Sequence, residues 1–181
     1  ETGFRGQDDV LYRTEAWDFL IAGGGLYNNL DYSFTPKHPD GTFEGYKSPG
    51  GGSVALRRQL GILKEFLYGF DFVRMKPNNS IIERVKPKVD ARALVEDGIA
   101  YAVYIHVPID KKPKKVERFS RQQKPVTLTL EITAGLYRAE WLNTKNGMIE
   151  KSADLDHQGG EIKFSSPTFT ADIALRMVRD K

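Results

Sequence analysis

Residues 136–155 read LYRAEWLNTKNGMIEKSADL, and they carry the clearest secondary-structure signal in the chain. The loop Asn143-Thr144-Lys145-Asn146-Gly147 ends in Asn-Gly, the dipeptide that most strongly indicates a β-hairpin. The runs on either side of it, residues 136–142 and 148–155, have the length of ordinary strands. We therefore predict an antiparallel hairpin here.

Working outward, similar short segments lie on both sides of this hairpin. Further strands are predicted at residues 91–95, 99–107, 126–132, 161–164 and 172–178, the first two joined by the turn Glu96-Asp97-Gly98. Short strands separated by Gly and Asn turns are typical of an antiparallel sandwich. The sequence thus predicts an antiparallel β-sandwich of about seven strands over residues 81–181.

Before about residue 80 the apolar spacing is helical instead. Residues 13–21 place an apolar stripe on one helix face, and Gly23 to Gly25 end that helix. A short apolar run at 26–30 predicts a strand, and the Gly- and Pro-rich residues 35–52 predict a long loop. Ser53 has the character of an N-cap for a second helix that ends near Gly69. The order helix, strand, loop, helix is that of β/α units.

Composition excludes several classes of chemistry. The chain has 181 residues and no cysteine, so disulfides, thiol catalysis and cysteine-bound metals are excluded. Glycine runs 23–25 and 50–52 lack the spacing of a dinucleotide-binding loop, and His38, His106 and His157 are isolated in sequence. We therefore expect no cofactor and no metal. Apolar runs are too short for a membrane helix, so we expect no membrane partner.

The positive charge is concentrated in one segment. Residues 110–124 hold seven Lys and Arg against two acidic residues, whereas the whole chain has a net charge of +3. Such a segment can bind phosphates or an acidic polysaccharide, but a like-charge run is more typical of a solvated loop. We expect the solvated loop and no nucleic-acid partner.

The chain also resembles a known family. Glu1-Thr2-Gly3-Phe4, Ala16-Trp17-Asp18-Phe19-Leu20 and the sequence from Ala22 to Phe34 resemble the end of a glycoside-hydrolase-type (β/α)8 barrel, most closely the apiosidase-like barrels. Residues 100–104, 135–141 and 172–175 resemble the sandwich, labelled a collagen-binding domain, that follows such barrels.

This resemblance implies an α+β fold with two parts. Residues 1–80 are then the terminal β/α units of a TIM-type barrel, and residues 81–181 the sandwich. The missing N-terminal barrel portion would belong to the same polypeptide, and an oligo- or polysaccharide would be the ligand. The resemblance also implies an exported protein, extracellular or periplasmic.

The resemblance further implies site residues. In such barrels a glutamate at the end of the seventh strand serves as nucleophile, and Glu1 occupies that position; its partner acid would come from an earlier strand. Asn29, Asp31 and Tyr32 would lie at the end of the eighth strand, where they either bind sugar or only order the loop. His38 either reaches the same pocket or is a solvated loop residue.

Two functions follow, with a third held open. The first is the C-terminal portion of a carbohydrate-active, glycosidase-like protein, inactive as this chain alone. The alternative is a non-catalytic module that binds glycan or matrix or supports the barrel. The third is a polyanion-binding protein acting through residues 110–124. Aromatic residues in the predicted strands (Tyr101, Tyr104, Tyr137 and Trp141) can form a sugar platform, but aromatics in strands more often fill the core.

Overall fold

The computed structural model describes residues 8–45, 51–109, 119 and 121–180. These residues form a β-rich, mainly antiparallel domain with two α-helices. Glu1 and most of the basic segment 110–124 lie outside them, so neither prediction on those residues is tested. The elements are α1 (Asp9–Ile21), α2 (Val54–Tyr68), β1 (Lys76–Pro77), β2 (Ile82–Lys86), β3 (Asp90–Glu96), β4 (Ala100–His106), β5 (Gln122–Gln123), β6 (Thr127–Ile132), β7 (Gly135–Leu142), β8 (Ile149–His157), β9 (Gly160–Ser165), β10 (Phe169–Thr170) and β11 (Asp172–Arg179).

Both helices begin at a side-chain cap. The Asp8 carboxylate accepts from the Val10 amide at 2.9 Å, and the Ser53 hydroxyl oxygen accepts from the Leu56 amide at 2.8 Å. Ser53 also donates to the Asp9 carboxylate at 2.8 Å, which joins the two N-termini. Caps of this kind satisfy amides that have no partner within the helix. The predicted cap at Ser53 is confirmed.

The strands form two main sheets and a ribbon. The large sheet has six strands in the order β1-β3-β4-β11-β7-β8, the small sheet has the order β2-β6-β9, and β5 pairs with β10. In the predicted hairpin, β7 pairs with β8 in antiparallel register from Gly135↔His157 to Leu142↔Ile149. Gly147 has φ +76°, the left-handed conformation that its Asn-Gly turn requires.

All seven strands predicted over residues 81–181 are present, but the described residues contain eleven strands. The four additional strands are β1, β2, β5 and β10, of which three have only two residues. Two-residue strands are defined by their ladder partner and carry no periodicity of their own, so the sequence does not reveal them. The simple seven-strand sandwich is therefore replaced by three sheets.

The six-stranded sheet is covered on both faces. Every residue of β4 is buried, although successive side chains point to opposite sides. On one face Tyr101, Val103 and Ile105 join a core with the small sheet. On the other face Ala102 and Tyr104 join a core with the two helices. The sheet is thus the middle layer between the small sheet and the helices.

Aromatic residues of the strands fill these two cores. Tyr101, Tyr137 and Trp141 are buried between the sheets. Tyr104 lies on the helix side, where its ring stacks on Trp17 with centroids 5.4 Å apart. These four residues therefore do not form an exposed sugar platform, and their interpretation as core is confirmed.

The predicted strand at 26–30 is not formed among the described residues. Residues 24–34 contain no strand, although Thr35 and His38 form an isolated bridge. A strand needs a ladder partner, and no described strand lies beside this segment. No other part of a barrel is seen among the described residues. The division at residue 80 stays a prediction, and the helices and the large sheet share one core across it.

A buried ion pair joins α1 to the sheet within that core. The Arg13 guanidinium donates to the Asp172 carboxylate at 2.6 Å and to Gln59 Oε1 at 2.6 Å. The Tyr104 hydroxyl donates to the other Asp172 oxygen at 3.0 Å. Burial and the neighbouring Asp172 charge raise the pKa of Tyr104 well above 10.0, so its hydroxyl remains a donor. The network fixes α1, α2, β4 and β11 relative to one another.

Replacing Asp172 by Asn leaves the Arg13 guanidinium buried without its counter-ion. We expect a loss of about 3–5 kcal/mol in the free energy of unfolding, the cost of an uncompensated buried charge. Urea unfolding at neutral pH measures it. Asp154→Asn is the matched control, because Asp154 pairs with Arg138 at the surface and should cost about 0.5 kcal/mol or less. Equal effects of the two substitutions would contradict the assignment.

Candidate functional site

The residues predicted to bind a ligand lie in the segment between the two helices, residues 24–45. Exposure alternates along its first part: Leu26, Leu30 and Phe34 are 80%, 56% and 49% exposed, whereas Tyr27, Asn29 and Asp31 are half-buried and Ser33 is buried. Tyr32, 38% exposed, belongs to the outward row. The structure therefore places Asn29 and Asp31 on the inner side of this segment and Tyr32 on the outer side.

Asp31 anchors the loop that follows it. Its Oδ1 accepts from the Ser33 amide at 3.0 Å and from the Ser33 hydroxyl at 2.5 Å, and its Oδ2 pairs with Arg57 Nη1 at 2.8 Å. Partial burial opposes ionisation, but the hydrogen bonds from Ser33 and Arg57 outweigh it and lower the pKa of the Asp31 carboxyl. Asp31 is thus an ionised carboxylate whose bonds order the backbone.

Arg57, on the first turns of α2, extends the same arrangement. Its Nη1 donates to Ser33 Oγ at 2.8 Å and its Nη2 to the Gly41 carbonyl at 2.8 Å. The guanidinium carbon lies 4.7 Å from the centre of the Phe34 ring, a cation–π contact. Gly41 has φ +73°, and a Cβ there would crowd the guanidinium. One arginine therefore holds both ends of the loop.

Two glycines permit the close packing beneath the segment. The Asn29 amide donates to the Gly51 carbonyl at 3.2 Å. A Cβ on Gly52 would overlap the Asp31 carboxylate, and one on Gly51 would overlap the Tyr12 ring. Gly51 and Gly52, which the sequence indicated only as part of a loop, therefore form a surface against which the site segment packs.

His38 makes its contacts within its own loop. Its Nδ1 lies 3.2 Å from Thr42 Oγ1, and its ring lies 5.4 Å from the Phe43 ring. These contacts fit the interpretation of His38 as a loop residue. Asn29, Asp31 and His38 therefore each have a structural partner within the segment or its surroundings.

A second site was missed by the sequence analysis. A cleft of about 400 Å³ lies between α1 and strands β3 and β4, with Asp18, Arg92, His106 and the exposed Phe19 among its lining residues. Arg92 Nε donates to Asp18 Oδ1 at 2.9 Å. Asp18 and Arg92 are 74 positions apart along the chain, and Arg92 and His106 are 14 positions apart. No local sequence motif therefore indicates that the three residues meet.

The comparisons with known proteins bear on the fold. No protein-family model and no curated protein matches the chain. Among solved structures, one called "Glycoside hydrolase" matches 96% of the chain at 19% identity with a TM-score of 0.62. A glycoside hydrolase family 5 structure from Bacteroides vulgatus ATCC 8482 matches 96% of it at 17% identity with the same TM-score, 0.62.

These similarities establish a fold related to glycoside hydrolase structures. The chain spans only 37% and 36% of the two matched proteins. None of the described helices is long and apolar enough to cross a membrane.

Asp31→Ala should loosen the loop while leaving the cores intact. We expect faster hydrogen exchange at the Gly41 and Phe43 amides and a loss of about 1 kcal/mol or less in unfolding free energy, because the pair is partly exposed. NMR-detected exchange measures it, with the exposed Lys37→Ala in the same loop as the control. Because the pKa of Asp31 is lowered, the protection from exchange that its carboxylate gives the loop is complete above pH 3.8, the ordinary pKa of the group. The protection disappears as pH falls through the lower pKa of the folded state. Unchanged exchange would contradict the anchoring role.

Proposed function

We propose that this chain is the C-terminal portion of a carbohydrate-active, glycosidase-like protein. The observation that carries the proposal is the match of 96% of the chain to two glycoside hydrolase structures. Fold alone does not define an activity, and the chain corresponds to little more than a third of either structure. Catalysis, substrate and location outside the cytoplasm are therefore parts of the proposal.

Residues 26–30, which have no ladder partner among the described residues, are proposed to pair as the last barrel strand when the rest of the barrel is present. Their exposure alternates with a period of two, the pattern of a strand whose faces differ. The outward row is mainly apolar, and large apolar side chains in a row are rarely left in water. A neighbouring barrel strand would supply the ladder partner, and barrel side chains would cover Leu26 and Leu30.

The double variant Leu26→Asp, Leu30→Asp tests this exposed row in the chain itself. We expect clearly lower binding of the dye ANS, with the free energy of unfolding unchanged within about 0.5 kcal/mol, because neither side chain packs in a core. Met148→Asp is the control, an exposed apolar residue in the β7–β8 turn. Marked destabilisation by the double variant would mean that the row packs within this chain, and the strand proposal would fail.

Within the proposed site, the structure favours different roles for the four described candidates. Asp31 is held by Ser33 and Arg57, so it is proposed to position the strand end. Tyr32 presents a partly exposed ring on the outer row and is proposed to stack on a sugar ring. Asn29 supports the segment through Gly51, and His38 orders the loop.

Hydrolysis itself requires a second carboxylate. Two acids act on a glycosidic bond, one on the leaving oxygen and one as nucleophile or base. Glu1 stays the proposed nucleophile on the resemblance alone, with a partner acid on an earlier strand of the same barrel. This chain by itself is therefore expected to bind sugar weakly and to hydrolyse none. The likeness to apiosidase-like barrels and to the collagen-binding sandwich is a finer part of the same proposal.

The cleft between α1 and the sheet favours the alternative, a non-catalytic binding module. Phe19 is 45% exposed, and both Phe19 and Arg92 line the cleft. An aromatic ring next to polar groups is a common arrangement for holding a sugar. The occupant would then lie between α1 and the sheet, next to the start of the segment 24–45, because the Phe19 ring lies against Gly24 and Glu15 accepts from the Tyr27 hydroxyl.

One binding experiment separates these functions. Affinity electrophoresis in gels containing plant or bacterial polysaccharides, with collagen-coated wells as a second surface, is run on the chain and on three variants. We expect Tyr32→Ala to weaken binding about tenfold and Tyr68→Ala, an exposed control, to leave it unchanged. Loss with Phe19→Ala alone would favour the alternative. Binding to no polysaccharide would overturn sugar binding by this chain.

A further inference from the structure

His106 lies at the end of β4, buried on the floor of the cleft between α1 and the large sheet. Its Nδ1 is 2.9 Å from the Val107 carbonyl oxygen, and its Nε2 is 3.4 Å from Asp18 Oδ1. Both atoms facing the ring are acceptors. A neutral imidazole carries one N–H and can serve only one of them, whereas the imidazolium donates to both.

The surroundings of His106 are mainly acidic. In the sheet register it stands opposite Asp90 on β3 and opposite Asp172 on β11, so the three side chains leave the same face. Glu15 and Asp18 of α1 line the same cleft. The cations facing this group are Arg13, which is held by Asp172, and Arg92, which is held by Asp18. From its own strand, the Tyr104 ring stacks on His106 at 5.4 Å.

We propose that His106 is a protonation-dependent latch that holds α1 against the large sheet. As an imidazolium it joins Asp18 of α1 to the end of β4 and balances the surrounding carboxylates. As a neutral ring it can donate to only one of these two acceptors. Arg92 still holds Asp18 in that state, so loss of the proton weakens the attachment without detaching the helix. The latch stands on these contacts and does not depend on the proposed sugar function.

The electrostatics support this arrangement. Burial opposes protonation, but the hydrogen bonds to Asp18 and to the Val107 carbonyl outweigh it and raise the pKa of His106 above its ordinary 6.5. Burial likewise opposes ionisation of Asp18, but bonds from His106 and Arg92 lower the pKa of its carboxyl below 3.8.

The two shifts define the pH window of the latch. A raised histidine pKa gives stability that is complete below pH 6.5 and is lost as pH rises through the folded value. A lowered carboxyl pKa gives stability that is complete above pH 3.8 and is lost as pH falls through its folded value. The attachment is therefore strongest in mildly acidic solution and weakens on the alkaline side.

The test measures unfolding by urea at pH 5.5 and pH 8.5. We expect His106→Gln to raise the unfolding equilibrium constant about tenfold relative to wild type at pH 5.5, and less than about threefold at pH 8.5, since a hydrogen bond to a charged group contributes about a factor of ten and the imidazolium is present only at the lower pH. Asp18→Asn should remove most of this pH dependence. His157→Gln is the control, since His157 is the last residue of β8 and does not line this cleft. This substitution should leave the pH dependence unchanged.

An NMR titration of His106 in the wild-type chain is a second test, which does not require His106→Gln to fold. NMR should show His106 titrating above pH 6.5, and its midpoint should fall in Asp18→Asn. A midpoint at or below 6.5, or a midpoint that does not respond to Asp18→Asn, would overturn the latch. Parallel pH dependence of wild type and His106→Gln would overturn it as well.

Discussion

Coverage of the six-stranded sheet on both faces is the constraint on which the rest of the molecule depends. A sheet with apolar residues on its two faces needs two separate layers to exclude water. The small sheet covers one face and the two helices cover the other. On the helix side the buried Arg13–Asp172 pair sets the position of α1, because a displaced helix would leave an unpaired charge in the core.

The geometry of the candidate site is set by the helix layer, α1 and α2. The segment 24–45 leaves the end of α1 and returns to α2, whose Arg57 holds Asp31 and the Gly41 carbonyl. Joined N-termini at Ser53 and Asp9 keep the two helices in register. The loop is therefore ordered by the helices that bury the sheet. A shift of α2 would move Arg57 and with it the residues of the segment 24–45 that Arg57 contacts.

Local signals in the sequence were enough for much of the fold. The Asn-Gly turn, the strand-length apolar runs and the Ser53 cap depend on neighbouring residues, and the structure has all of them. The two-residue strands and the missing strand at 26–30 depend on ladder partners, which a single segment does not encode. The same limit explains why His106 looked isolated: Asp18, its nearest carboxylate, lies on another element.

For the site, residue types were easier to predict than roles. A carboxylate at Asp31 fitted sugar binding and loop ordering equally well from sequence. Only the position of Arg57, 26 residues along the chain, shows which bonds the carboxylate makes. The Gly51 and Gly52 packing likewise depends on Tyr12 and Asp31 coming from other parts of the chain.

The distribution of the two tryptophans has a practical consequence. Trp17 lies in the core between helices and sheet, and Trp141 lies in the core between the two sheets. Each layer interface therefore contains its own intrinsic fluorophore, and single-tryptophan versions of the chain would report on the two interfaces separately. Coincident emission changes during denaturation would describe one cooperative unit, and separated changes would reveal a helix layer that leaves the sheet first.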